Sequence, residues 1–157
     1  MGYVLEPLLR IRTMREDRAA GELTAARRAT AEARNALARK VEELDRFNET
    51  KDLRKDKLWD AIIGHEVSRD RIDLMEEGLA QIDEEGNLKT DSVHRAESEV
   101  QKREEAEAVA RGNFTVATRN RMKIDEHKDV WRKAESDKEE HRAEGELEDF
   151  VVRKEEL

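Results

Sequence analysis

The sequence predicts an all-α protein: a long antiparallel two-helix coiled-coil hairpin in which helix 2 overhangs helix 1. Three observations lead there. Charged residues make up 45% of the 157 positions and aromatics 4%, a usage dominated by Ala, Glu, Lys, Leu and Arg that suits long helices. Apolar and small residues recur with alternating spacings of three and four over two long stretches. One short segment between those stretches carries the turn chemistry that two antiparallel helices need. Low hydropathy and a net charge of −8 would also fit disorder, but a disordered polyelectrolyte has no reason to hold a heptad phase.

Helix 1 is expected over about 7–63. Pro7 suits the first turn, where its missing N–H costs nothing. Positions 9, 16, 23, 30, 37, 44, 51 and 58 read Leu, Glu, Leu, Thr, Leu, Leu, Lys and Leu. Their partners 12, 19, 26, 33, 40, 47, 54 and 61 read Arg, Ala, Ala, Ala, Lys, Phe, Arg and Ala. This is a sustained 3.5-residue repeat with leucines on one edge and small residues on the other. The turn is expected over about 64–68, with Gly64 as the helix C-cap and Ser68 as the next N-cap.

Helix 2 is expected over about 69–152. Of the eighteen seam positions from Ile72 to Trp131, twelve are apolar. Gly86-Asn87 reads as a soft spot in one continuous helix; a break there, giving three helices, is the alternative. A turn centred near Glu66 sets Leu58 against about Met75, Leu23 against about Ala110 and Leu9 against about Ile124. Residues from Glu126 onward then overhang, so that Trp131, Phe150, Val151 and Val152 have no helix 1 partner. The whole chain is read as one domain.

Composition also excludes. There is no cysteine, hence no disulfide framework and no thiolate metal site, which is compatible with a reducing cytosol. No stretch approaches a membrane span, and no signal peptide of the usual form opens the chain. His65, His94, His127 and His141 lack the i,i+3 or i,i+4 companions that metal ligation on a helix requires. No phosphate loop or nucleophile motif occurs, and solvated carboxylates on a two-helix surface enclose no active site. No cofactor and no enzymatic activity are expected. Nucleic-acid binding lacks basic residues interleaved with aromatics. Direct membrane insertion lacks a free apolar face.

Charge is uneven along the chain. Residues 7–41 hold nine Lys/Arg against four Asp/Glu, and residues 133–157 hold five against ten. Ordinary solvated helix faces would account for this, as would ends that steer different partners. Trp131 and Phe150 read either as packing on the end of helix 1 or as partner anchors. Phe47, Lys51, Arg54 and Trp59, where the seam weakens, are the best residues for a second contact surface.

The opening run Leu5-Glu6-Pro7-Leu8-Leu9, then Arg10-Ile11-Arg12 and Arg15-Glu16-Asp17-Arg18-Ala19, resembles the FliJ/YscO family. These are the central stalk proteins of flagellar and virulence type III secretion. The match is nearer the virulence branch (YscO, or SctO), of the chlamydial type, with its YxLEPxL opening. The stretch His127-Lys128-Asp129-Val130-Trp131 is similar too, with Val130 where that pattern has a second acid.

The resemblance implies a cytoplasmic, non-enzymatic stalk at the base of the secretion apparatus. Such a stalk links the secretion ATPase ring to the cytoplasmic domain of the export gate, and some members bind unladen export chaperones. The residues expected to face the ATPase are Leu8, Arg10, Arg15, Arg18, Trp131 and Phe150. A monomer is expected. The alternative function is a generic coiled-coil scaffold or holdase chaperone.

Overall fold

The computed structural model describes residues 2–155. They form two α-helices, α1 (Glu6–Asp60) and α2 (Arg69–Glu155), of 55 and 87 residues. α1 starts where Glu6 N–H donates to the Tyr3 carbonyl at 3.1 Å, with Pro7 in the first turn. It ends three residues earlier than the pattern suggests. There the last turn tightens, with Ile62 and Ile63 N–H both donating to the Trp59 carbonyl at 3.0 and 2.9 Å. Gly64 then takes φ +80°, the left-handed conformation that lets the chain leave the helix axis. Ser68 caps α2: its Oγ accepts from Arg71 N–H at 3.4 Å and its carbonyl from the same group at 3.1 Å.

α2 runs unbroken through Gly86-Asn87. The glycine has a packing role, because a Cβ there would stand 2.8 Å from Phe47 Cε1. The helix tolerates a residue of poor propensity at the one place where the opposite ring needs the space.

The chain divides into two compact units. One comprises residues up to Leu23 together with those from Ala110 onward; the other is Thr24–Val109. In the second unit, Phe47, Met75, Ile82 and Val93 are buried along the seam. Leu58 lies on Gly78, with Leu58 Cδ1 3.0 Å from where a Cβ would sit. Thr30, at 1% exposure, is the most buried side chain. Its hydroxyl is placed to donate to the Ala26 carbonyl of its own helix at 3.0 Å or to the Arg103 carbonyl across the seam at 3.2 Å. A side chain as short as threonine reaches the opposite backbone only where the helices lie close together. In the first unit, Tyr3, Leu9, Ala19 and Leu23 are buried. The observed pairing lies within about one helical turn of that expected. Lys40, Arg54, Ile72 and Arg103 sit on the predicted seam but are exposed.

Candidate partner-binding surfaces

In the first unit the helices are held by a polar clasp. Tyr3, on the short approach to α1, is buried against α2. Its hydroxyl and His127 Nδ1 share a hydrogen bond of 2.6 Å, the donor being set by the imidazole tautomer. Its ring centroid lies 5.3 Å from that of Trp131, tilted by 48°. Lys128 donates to Glu6 at 2.6 Å and hangs 5.9 Å from the Tyr3 ring centroid. The lysine ammonium, through that hydrogen bond, holds the Glu6 carboxyl below its ordinary value of 4.5. One turn inward, Arg121 donates to Glu16 at 2.7 Å and also to Asp125. These bonds, that to Glu16 foremost, push the Arg121 guanidinium upward against the opposing effect of desolvation.

This clasp corrects one expectation. Trp131 does have a partner: it packs on Tyr3, a residue ahead of the helix start that no heptad position marks. Pairing in this unit therefore continues past Glu126 as far as Trp131.

Leu8 is half-buried and Arg10 and Arg15 are exposed. Arg18 is also exposed, but it pairs with Glu22 one turn on at 3.2 Å. Phe150 is 66% exposed, and Leu147, Val151 and Val152 around it are exposed too. The alternation of these apolar residues with Glu144, Glu146, Glu148 and Asp149 gives the end of α2 an acidic and apolar surface.

A second correction concerns Phe47. Expected on a partner surface, it is 7% exposed and wedged over Gly86. The glycine opposite supplies the hole, a match between residues 39 apart that one-dimensional reading misses. The Arg54 guanidinium lies 5.9 Å from the centroid of that ring and donates to Glu85 at 2.8 Å. Lys51 and Lys55 flank a cleft completed by Asn87 and Thr90, and Lys55 pairs with Asp83 at 2.6 Å. Trp59 remains 46% exposed near the turn. Of the four residues of this surface, Trp59 and Arg54 are exposed, Lys51 is half-buried and Phe47 is buried.

Among the described residues, no three His, Asp or Glu side chains gather as a metal-binding group. No helix there is long and apolar enough to cross a membrane.

The sequence profile of the type III secretion protein YscO family matches residues 5–153. A solved structure described as that of a candidate YscO homologue, CT670, from Chlamydia trachomatis shares the fold. It superposes with a TM-score of 0.72 over 98% of this chain and 93% of that one, at 23% identity. No curated protein sequence matches the chain.

Proposed function

Because this chain belongs to the YscO family of type III secretion proteins, we propose that it is the non-enzymatic stalk and adaptor of such an export apparatus. In this reading it joins the secretion ATPase to the cytoplasmic domain of the export gate, at the cytoplasmic base of the machine. It acts as a monomer and also receives unladen export chaperones. The observation that carries the reading is the family match over nearly the whole chain, on a two-helix hairpin.

The first unit is the ATPase-facing end. Arg10 and Arg15 are exposed there, and Leu8 lies beside them. The end of α2 overhangs, presenting Phe150 as an apolar anchor on an acidic helix. Aromatic and arginine side chains are the residue types that most often dominate binding energy at protein surfaces. The gate is met by the second unit through Lys51, Arg54 and Trp59.

The test is capture of the cognate secretion ATPase and measurement of its turnover with and without this protein. Changing Arg15 and Arg18 together to Glu should reduce capture at least tenfold and remove any effect on turnover, with helicity unchanged. Undiminished capture by the folded double variant would remove the proposed contact.

A further inference from the structure

Four polar side chains line a notch on one side of the first unit. Arg12 and Arg15 of α1 and Asn113 and Asn120 of α2 line it together with Val116 and Ala117, and its volume is about 240 Å3. Positions 113, 116, 117 and 120 form one face of α2, and positions 12 and 15 lie one turn apart on α1.

Three carboxylates of the unit are engaged elsewhere. Glu16 and Asp125 are taken by Arg121, and Glu6 by Lys128. Arg12 Nε is left buried with no acceptor. A guanidinium cannot relieve that deficit by losing its proton, and all its polar hydrogens are donors. Around the notch, residues 110–133 carry seven Lys/Arg against three Asp/Glu, so the local field favours an anion.

We propose that this notch is a socket for the carboxylate of a glutamate or aspartate that a partner protein carries beside an aliphatic residue. The guanidinium fork matches a carboxylate with two parallel N–H···O bonds. The two amides can donate to its remaining lone pairs, and Val116 and Ala117 offer apolar surface to the neighbouring methylenes. The volume suits one side chain and falls below the roughly 300–1,000 Å3 of small-molecule pockets. Arg12, which the heptad pattern assigns to the seam, therefore becomes the inner wall of a binding site. The partner's identity is left to the stalk reading, but the socket itself does not depend on it.

The probe is the blocked tripeptide acetyl-Leu-Glu-Leu-amide, titrated into the full chain while the arginine Nε–Hε resonances are followed. The Arg12 and Arg15 signals should move saturably, while those of Arg10 and Arg28 stay in place. The glutamine counterpart should bind at least tenfold more weakly, and inorganic phosphate should not reproduce the shifts. Val116→Trp, at an exposed position, blocks the notch without entering the seam and should abolish the shifts. Asn113→Leu should weaken them severalfold. The socket is overturned by any of three results: no saturable shift, equal shifts from the glutamine peptide or from phosphate, or shifts that persist in the folded Val116→Trp protein. Shifts seen here alongside failed ATPase capture would fault the stalk reading alone; capture without shifts would fault the socket alone.

Discussion

Phe47 on Gly86 in the second unit and Tyr3 on Trp131 in the first both place an aromatic ring on the opposite helix, yet their surroundings differ. Around Phe47 the contacts are apolar and close, with Leu58 on Gly78 towards the turn and Ile82 and Val93 along the seam. The ion pairs that cross this unit are more open: Arg34–Glu104 and Arg54–Glu85 have side chains 41–61% exposed, and Arg27–Glu107 and Lys55–Asp83 each keep one side chain at least 60% exposed. Exposed pairs of this kind contribute about 0–1 kcal/mol each. Around Tyr3 the order is reversed. Glu6–Lys128 and Glu16–Arg121 have side chains only 17–36% exposed, and a histidine completes the clasp. Partly buried charge is costly to desolvate, which offsets part of the attraction within these pairs. The second unit thus combines close apolar packing with more open ion pairs, whereas the first adds a half-buried polar clasp to its own buried Leu9, Ala19 and Leu23.

The largest expected effect lies in the packed unit. Phe47→Ala should cost about 3 kcal/mol, the usual scale for emptying a buried aromatic site, read by denaturant unfolding. Gly86→Ile should cost about 2 kcal/mol by overfilling the same space, although isoleucine is the better helix former. A gain in stability would break the claim that Phe47 needs the hole. In the clasp, Tyr3→Phe should cost about 1 kcal/mol by removing the bond to His127, seen as faster amide exchange near the start of α1. Gly21 has no atom within 4 Å of where a Cβ would go, so Gly21→Ala should raise stability by at most about 1 kcal/mol.

The smallest expected effect is on pH. The Glu6 carboxyl is held below its ordinary value of 4.5, so its folded form binds a proton less readily than its unfolded form. Its contribution is therefore complete above 4.5 and is lost as pH falls through the depressed folded value. Acidification below 4.5 should loosen the clasp amides in the native protein and leave Glu6→Gln largely unresponsive through that window.

Much of the fold was legible because a heptad phase is written in the residues themselves. Of the eighteen predicted α2 seam positions, all but Ile72 and Arg103 are at least half-buried. What escaped the sequence depends on register between residues far apart. Gly86 reads as a weakness until Phe47 is set against it. Tyr3 precedes the helix and has no periodic position, so its bond to His127, 124 residues away, leaves no local signal. Arg15 was visible as a charge off the seam. Arg12, Asn113 and Asn120 become a site only when the two helices are laid side by side, and no spacing within either helix brings them together.

The stalk account places ATPase engagement on the clasped unit and leaves the packed unit outside that contact. Amide hydrogen exchange across the full chain, alone and with the cognate secretion ATPase, tests this most directly. The account predicts new protection over about residues 8–20, 113–131 and 145–152, with residues 40–90 unchanged. Protection gained only around Phe47 and Gly86, or nowhere, would contradict it.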